Sequence, residues 1–403
     1  MKNVEPKVPL AVAGSSGFLP GCEGMRGAAA LGVLLTHVAF QTGSVTESFW
    51  GRVWGRFDLA VALFFALSGF LLWRQHARAA RGLSASPSTG RYLRHRIVRI
   101  MPAYIVVVCA VLLLLHEARG ASATVWWANL TLMQVFVPYS LVEGLTQMWS
   151  LSVELAFYLL LPLFGWGLWR LRGEAARWRV PVIVTIAVLS LAWKYIPVPT
   201  ADGVHHDNWL PGYLSWFAAG MILAEFATAP PPRMVRLARI PMLMPIVAVC
   251  AIGIAASPLA GPPGLVDLEP LEYAVKILCG AVMGYALLAP IVLAEPGRHH
   301  RILASPTALM LGRWSYALFL WHVAVLMVTF PILGVPQFSG YMFPVLVLTV
   351  VLSVAVASVS YALVEEPARR ALLRWETARA ERYRRQNGNA ETATAATVTK
   401  ASA

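Results

Sequence analysis

Charged residues and cysteines are both scarce in this chain of 403 residues. Only 13% of the side chains are charged, while 58% are hydrophobic and the mean hydropathy is +0.62. An average soluble domain carries about twice that share of charge, so the composition indicates a polytopic membrane protein. The four cysteines form no CxxC pair and no His/Cys cluster with metal-ligand spacing. We therefore expect no disulfide framework and no metal site.

Acidic residues are scarcer than basic ones, 20 against 33, which gives a net charge of +13. Such an excess can indicate nucleic-acid binding, but here the arginines are spread over short loops between apolar runs. Membrane topology explains that distribution better, because Lys and Arg collect in cytoplasmic loops. We expect no nucleic-acid partner. The first twenty residues also lack the basic, apolar and small-residue succession of a cleavable signal peptide.

Apolar runs of about 20 residues, the length of one bilayer crossing, predict an all-α, polytopic membrane bundle of about ten transmembrane helices. The predicted spans are 24–41, 57–74, 100–116, 149–169, 180–197, 211–228, 240–258, 271–294, 313–332 and 342–364. Arginines recur in alternate loops and acids in most of the others, which predicts that both termini are cytoplasmic. Arg52 and Arg56, in the first outer loop, are the exception.

This pattern divides the chain into three parts. Residues 1–23 are predicted as a cytoplasmic N-terminal segment and residues 24–366 as the transmembrane domain. Residues 367–403 are predicted as a cytoplasmic tail that is basic at first and then low in sequence complexity. Its end cannot bury a core, so we expect it to be disordered.

The run from Met25 to Phe40 carries two polar residues, Arg26 and His37, in an otherwise apolar stretch. An ionisable side chain inside a membrane helix is costly, and its default interpretation is functional. At a rise of about 1.5 Å per residue the two lie about 16 Å apart along a helix. His37 is either a hydrogen-bonded core histidine or a general base. Arg26 either marks the membrane edge or offers donors to a phosphate or a carbonyl oxygen.

Two further segments at the second predicted span leave alternatives open. Ser68 and Gly69 either let two helices approach closely or line a narrow channel for an acyl or pantetheine chain. Asp58 either pairs with Arg52 or Arg56 or contributes to a substrate site.

Later segments add five more candidates. Arg96 and Arg99, at i and i+3, either follow the positive-inside bias or bind the phosphates of a donor such as coenzyme A. Glu154, with Tyr158 one turn on, needs a partner or a protonation role inside the membrane. His322 is either a second functional imidazole or a packed, hydrogen-bonded one.

These segments, taken in order, resemble the membrane-bound acyltransferase-3 family. The similarity runs from about residue 24 to 370, and no single motif carries it alone. The matching motifs are R-x10-H at Arg26 and His37, FFxLSGFLL at Phe64 to Leu72, RxxRIxPxY at Arg96 to Tyr104, WSLSVExxFYLLLP at Trp149 to Pro162, LPGYLSWFAAGMILA at Leu210 to Ala224, SYxLFLWH at Ser315 to His322, and ExP at Glu365 to Pro367.

The resemblance implies transfer of an acyl group, usually acetyl, from cytoplasmic acyl-CoA to a hydroxyl of a sugar, glycolipid or macrolide. We expect a general base that takes the hydroxyl proton, and an oxyanion stabilised by an arginine or a backbone amide. The expected catalytic residues are His37, Arg26 and Glu154. The expected donor-binding residues are Arg96, Arg99, Ser68 and Gly69, and the expected acceptor-binding residues are Asp58, Trp149, Tyr158 and His322.

One position departs from the family pattern. Many members read GVDLFF where this chain reads AVALFF, so Ala62 stands at the acidic position. Asp58 lies one helical turn earlier and can present a carboxylate to the same face.

A hypothesis from another class is a proton-coupled transporter or flippase of a lipid-linked sugar, with His37, Glu154 and His322 as the proton relay. Transporters often have inverted repeats and broken paired helices, neither of which is evident in this sequence. The Ala-rich and Arg-rich composition favours a high-GC bacterium, and hence location in the bacterial plasma membrane. The acceptor, the acyl chain length, the oligomeric state and a covalent acyl-histidine step stay open.

Overall fold

The computed structural model describes residues 19–264, 266–293 and 300–382. Within these ranges the chain is helical and contains no strand, which confirms the all-α prediction. Most of the predicted N-terminal segment and the predicted disordered end of the tail lie outside the described residues.

The α-helices run in the following chain order. They are α1 (Pro20–Gln41), α2 (Phe49–Gly55), α3 (Ala60–Ala80), α4 (Thr89–Leu114), α5 (Ala123–Leu130), α6 (Trp149–Gly167), α7 (Arg179–Ser190), α8 (Leu210–Thr228), α9 (Pro232–Arg239), α10 (Leu243–Ala255), α11 (Pro270–Val292), α12 (Pro306–Leu333) and α13 (Met342–Ser360). A 3₁₀ turn, Arg56–Leu59, joins α2 to α3. A π-helical turn, Tyr361–Glu365, continues α13 into an extension, so that this helix as a whole runs Met342–Arg382.

The described part of the chain has 7 helices that are long and apolar enough to cross a membrane, or 8 crossings if the bent pair α9 and α10, with an angle of 81° at its break, forms one span. The chain is therefore a multi-pass membrane protein. The predicted number of about ten crossings is not reached by this criterion and stays a prediction. The helix α1 has 22 residues, but Arg26 and His37 lower its mean hydropathy. The helix α7 ends after 12 residues.

Close helix crossings hold the bundle together. A Cβ atom on Gly69 of α3 would overlap the carbonyl oxygen of Phe217 on α8. A Cβ atom on Gly312 of α12 would likewise overlap the carbonyl oxygen of Glu23 on α1. Small residues allow such close approach between membrane helices. The crossing of α1 with α12 matters most for the site, because α1 carries His37 and α12 carries His322.

A buried charge network joins α3, α7 and α8. The Glu225 carboxylate, with a side chain that is 0% exposed, accepts hydrogen bonds from Trp73 Nε1 at 2.8 Å, Arg179 Nε at 2.7 Å and Arg81 Nη1 at 2.5 Å. Removing one partner of such a network leaves an uncompensated buried charge, which is strongly destabilising. The network fixes the three helices at the ends where these residues lie.

Candidate active site

A pocket opens among α1, α3, α4, α6 and α12, with about 660 Å³ of unfilled space that includes its solvent-open mouth. Its charged wall consists of Arg26, Arg96, Arg99 and Glu154, and its aromatic wall is formed chiefly by Phe64, Phe65 and Phe319. Along α3 the pocket runs from Leu72 at one end to Val61 at the other, a distance of about 16 Å at helical rise. Its length suits an extended chain better than a compact ligand.

Three arginines converge on this pocket. Arg96 and Arg99 come from neighbouring turns of α4, and Arg26 comes from α1. The Arg96 guanidinium lies 5.7 Å from the centre of the Tyr158 ring. Its Nε atom is buried and has no hydrogen-bond partner within the described residues. Because a guanidinium group only donates and Glu154 is the single carboxylate in the wall, the pocket favours an anion.

Glu154 is held in place by two hydroxyl groups. Its Oε1 atom accepts hydrogen bonds from Ser68 Oγ and from Tyr158 Oη, each at 2.5 Å. The structure therefore brings three of the predicted site residues into contact at one wall of the pocket. Gly69 lies elsewhere, because it packs against the backbone of Phe217 and is not among the pocket-lining residues. Its environment matches the helix-packing alternative.

His37 of α1 and His322 of α12 lie side by side. Their ring centroids are 4.9 Å apart, with the ring planes at 73°. The Nδ1 atom of His37 lies 2.8 Å from the carbonyl oxygen of Val33, and Nδ1 of His322 lies 2.8 Å from that of Phe319. Because a carbonyl oxygen only accepts hydrogen bonds, Nδ1 carries the proton in each neutral ring.

This assignment leaves the Nε2 atom of both rings without a proton. The Nε2 atom of His322 lies 3.4 Å from Nδ1 of His37, so it accepts a share of the N–H that His37 also donates to Val33. His322 is fully buried, whereas His37 is partly exposed. Nε2 of His37 is therefore a lone-pair base whose tautomer is fixed by its neighbours. The partner that orients His37 is His322 and not Glu154, which belongs to the pocket wall.

Phe319 connects the pocket with the histidine pair. It lines the pocket, and its ring centroid is 5.8 Å from that of His322 and 5.9 Å from that of Phe64. Neither histidine is itself a lining residue. Arg26, which donates to Ser315 at 3.4 Å, thus lines the pocket, whereas the histidine pair lies outside the lining, with His322 in contact with the Phe319 ring.

Asp58 has a different partner from those predicted. Its Oδ2 atom lies 2.6 Å from Nζ of Lys276 on α11. Arg52 pairs with Glu47, and the buried Arg56 donates to backbone carbonyls that follow α10. The predicted pairing of Asp58 with Arg52 or Arg56 is therefore wrong.

The sequence patterns missed some of the residues at the site. Ser315 and Phe319 are two of them, and with the predicted His322 they recur at i, i+4 and i+7, the spacing of one helix face, so that segment held a usable signal. Lys276 offered none, because a lone lysine in an apolar helix does not reveal that its partner is Asp58. Prediction of the pair needed the packing of α11 on the start of α3.

Glu365, in the π-helical turn, is a further residue that was not assigned to the site from the sequence. Its Oε1 atom is buried and has no hydrogen-bond partner in the part of the chain that the structure describes. Within the same residues no group of three or more His, Cys, Asp or Glu side chains could hold a metal ion.

The chain is similar to several characterised proteins. It is 22% identical over 385 residues to the peptidoglycan O-acetyltransferase OatA of Listeria monocytogenes, which covers 88% of this chain and 56% of that protein. It is 27% identical over 329 residues to the acyltransferase MdmB of Streptomyces mycarofaciens, with 76% and 79% covered. The O-acetyltransferase OatA of Staphylococcus aureus is 25% identical over 381 residues, with 88% and 57% covered. This chain thus spans about half the length of the OatA proteins. No solved structure matches it.

A family model, described as an acyltransferase domain of the acyltransferase-3 type, matches residues 19–363. The match contains the arginine-lined pocket and the histidine pair, His37 and His322. Because it covers most of the chain, the protein belongs to the acyltransferase-3 family and is a membrane-bound acyltransferase.

Proposed function

We propose that the protein is an O-acyltransferase that moves an acyl group, acetyl first among the candidates, from cytoplasmic acyl-CoA to a hydroxyl group. The acceptor class is a sugar, a cell-envelope glycolipid or polysaccharide, or a macrolide-type metabolite. The observation that carries the proposal is the arginine-lined pocket beside a histidine of fixed tautomer. The names of two similar proteins, both O-acetyltransferases, support acetyl transfer.

Donor binding uses the arginines. Arg96 and Arg99 hold the phosphates of acyl-CoA at the pocket mouth by charge-assisted hydrogen bonds. The pantetheine arm then extends along the pocket, past Ser68, so that the thioester reaches Phe319, whose ring lies against His322. The carboxylate of Glu154, fixed by its two hydroxyl donors, shapes the wall along this path.

Proton transfer uses the histidine pair. Nε2 of His37 takes the proton of the acceptor hydroxyl while its oxygen attacks the thioester carbonyl, and the departing thiolate of CoA receives that proton. The imidazolium that forms donates from Nδ1 to Val33 and to Nε2 of His322, which stabilises its charge. His322 is in this scheme a positioning residue for His37.

Arg26 receives a changed role in this proposal. It stands eleven positions before His37 on one helix, about 16 Å along the axis. An arginine side chain does not bridge that distance, so Arg26 does not stabilise an oxyanion formed next to His37. We assign it to the donor site together with Arg99.

The proposed setting is the bacterial plasma membrane, with both termini in the cytoplasm and a transmembrane domain over residues 24–366. The distribution of arginines among the loops supports this orientation. The transporter alternative needs His37, Glu154 and His322 in one proton relay. It is disfavoured because Glu154 hydrogen-bonds in the pocket wall and neither histidine contacts it.

The test compares purified wild type with His37→Ala in lipid nanodiscs. With labelled acetyl-CoA and membranes that contain the native acceptor, we expect His37→Ala to bind the donor and to lose at least about 100-fold in acetyl transfer. The exposed histidine variant His116→Ala is the matched control and should transfer normally. Unchanged transfer by His37→Ala would overturn the proposal.

Mass spectrometry of envelope glycans, lipids and secreted metabolites from wild-type and deletion strains then identifies the acceptor by its lost acyl mass.

A further inference from the structure

An ion pair lies just beyond the far end of the donor pocket. Lys276, two turns inside α11, contacts Asp58 at 2.6 Å, and the two side chains are 19% and 34% exposed. Charged groups at such depth in a membrane protein are costly and are retained where they serve a function. Val61, a lining residue of the pocket, follows Asp58 by one turn. The pair therefore adjoins the place where the thioester is proposed to arrive.

Asp58 retains an unused acceptor atom. Its Oδ2 atom contacts Lys276, but its Oδ1 atom is buried and has no hydrogen-bond partner within the described residues. A buried carboxylate oxygen without a donor carries the full cost of its desolvation. A ligand hydroxyl that donates to Oδ1 would remove this cost. An ion pair that only joined two helices would not need the second carboxylate oxygen to be left unpaired.

The ion pair also adjoins the proposed base. The turn that contains Asp58 packs on α1, where Thr36 Oγ1 donates to the carbonyl oxygen of Gly55 at 3.1 Å. Thr36 directly precedes His37, so this hydrogen bond places the turn that contains Asp58 next to the segment of α1 that carries His37. His37 is partly exposed although it does not line the donor pocket. The exposed part of His37 is therefore available to a second ligand outside the donor pocket.

Aromatic rings complete the surroundings. The ring centroid of Tyr213 is 5.0 Å from that of the partly exposed Trp149, with the planes at 36°. The Tyr213 ring centroid is also 6.4 Å from that of Tyr273, which precedes Lys276 by about one turn of α11, so the rings and the ion pair share one region. Ser150, next to Trp149, lines the end of the pocket. An aromatic face packs against the C–H side of a sugar ring, while a carboxylate accepts from its hydroxyls and an ammonium donates to them.

We propose that Asp58 and Lys276, with Trp149 beside them, form the acceptor subsite, and that this subsite takes a neutral sugar with adjacent hydroxyl groups. One hydroxyl donates to Oδ1 of Asp58, its neighbour accepts from Nζ of Lys276, and a third faces Nε2 of His37. The two charges of the pair cancel, so an ionic acceptor gains nothing from them. The inference rests on the proposed O-acyl transfer and names its acceptor class and two residues that select it.

The experiment measures two reactions of acetyl-CoA in nanodiscs, with methyl β-glucoside as the acceptor probe. One is hydrolysis of the donor without the probe, and the other is acetylation of the probe. We expect Asp58→Asn and Lys276→Met each to lower the ratio of probe acetylation to donor hydrolysis at least tenfold through a higher KM for the probe. Methyl glucosides that lack one of two adjacent hydroxyls should show the same loss with wild type.

A charge swap separates recognition from folding. The double variant Asp58→Lys with Lys276→Asp keeps an ion pair, so it should recover the melting temperature that the single variants lose but not the KM for the probe. Recovery of both the melting temperature and the KM would show that the ion pair only joins two helices, and it would overturn the inference. Lys194→Met, which removes the ion pairs with Asp207 and Asp267 at a position outside the pocket lining, is the matched control and should leave the KM unchanged.

The remaining outcomes are also decisive. Wild type that hydrolyses acetyl-CoA but does not acetylate the probe, even at high concentration, overturns the neutral-sugar assignment and leaves the proposed function intact. Wild type that neither hydrolyses nor transfers the acetyl group contradicts the proposed function itself.

Discussion

At the scale of single residues, the site depends on which nitrogen of each histidine carries the proton. Two backbone carbonyl oxygens fix Nδ1 as the protonated atom in His37 and His322. In the contact of 3.4 Å between the rings, Nδ1 of His37 therefore donates and Nε2 of His322 accepts. A carboxylate is not needed to orient this base. An imidazole, itself held by the carbonyl of Phe319, takes that place.

The first prediction concerns His322. We expect His322→Leu to lower kcat about tenfold, the value of one lost hydrogen bond to His37, and to leave KM for acetyl-CoA unchanged. His322→Gln keeps a carbonyl oxygen that can accept from Nδ1 of His37, so it should recover most of the lost rate. Steady-state kinetics of acetyl transfer check both variants. An equal loss in the two, or a loss confined to KM, would argue for a packing role alone.

The second prediction concerns the donor arginines. Lysine keeps the charge but not the forked donor geometry, so Arg96→Lys and Arg99→Lys should each raise KM for acetyl-CoA about tenfold and change kcat less. Arg172→Lys, at an exposed position outside the pocket, is the control and should behave as wild type. Donor binding can be measured directly with labelled acetyl-CoA. Unchanged binding in both pocket variants would remove the phosphate-binding role.

The sequence predicted those candidate site residues whose ionisable side chains interrupt an apolar segment, because their desolvation cost follows from that segment alone. Arg26 and His37 stand out because they interrupt an apolar helix, and Glu154 stands out for the same reason. Lys276 was missed because its partner comes from a distant segment that only helix packing brings near. Gly69 was ambiguous from sequence, because a small residue serves a channel and a close helix crossing equally well.

At the scale of helices, long apolar runs predicted where helices occur. Polar contacts with distant segments determine the residues at which some of these helices end. The predicted span 180–197 ends as α7 at Ser190, and a 3₁₀ turn, Trp193–Tyr195, follows. That turn is held by Trp193 Nε1, which donates to the carbonyl of His206 at 2.9 Å, and by the contact of Lys194 with Asp207 at 3.3 Å. Both partners come from a later loop, so hydropathy along the chain could not indicate where the helix stops.

The third prediction concerns the crossing of α1 with α12. A Cβ atom on Gly312 would overlap the carbonyl oxygen of Glu23, so Gly312→Ala must push the two helices apart. We expect a loss of about 1–3 kcal/mol in stability and a loss of transfer activity, because the His37–His322 contact spans the same crossing. Thermal unfolding in nanodiscs measures the first effect.

The control is Gly253→Ala in α10, where an added Cβ atom would meet nothing within 4 Å. Alanine is also the better helix former, so this variant should be as stable as wild type or slightly more so. A Gly312→Ala protein that is as stable and active as Gly253→Ala would show that the two helices can accommodate the added Cβ atom. Close approach of α1 and α12 would then not determine the site geometry.

At the scale of the whole molecule, the ends of α4 and of the α13 extension lie at the same face. The Glu376 carboxylate contacts Arg94 at 2.9 Å and Arg91 at 3.2 Å, and the Arg94 guanidinium lies 4.7 Å from the Trp375 ring centroid. Part of the predicted tail is therefore an ordered helix docked at the start of α4. An even number of crossings must separate these two segments. The predicted topology with about ten spans meets this condition, because eight of its spans lie between them.

The fourth prediction tests that topology with single cysteines in a variant from which the native cysteines have been removed. Ser84→Cys, before α4, and Ala380→Cys, in the α13 extension, should react with a membrane-impermeant maleimide only after the cells are broken, because both are predicted to be cytoplasmic. Asp202→Cys, after α7, should react in intact cells. If α7 did not cross the membrane, Asp202→Cys would share the side of the loop before it and stay unlabelled. Labelling of Ser84→Cys in intact cells would contradict the proposed orientation, because the arginine pocket would then open away from cytoplasmic acyl-CoA.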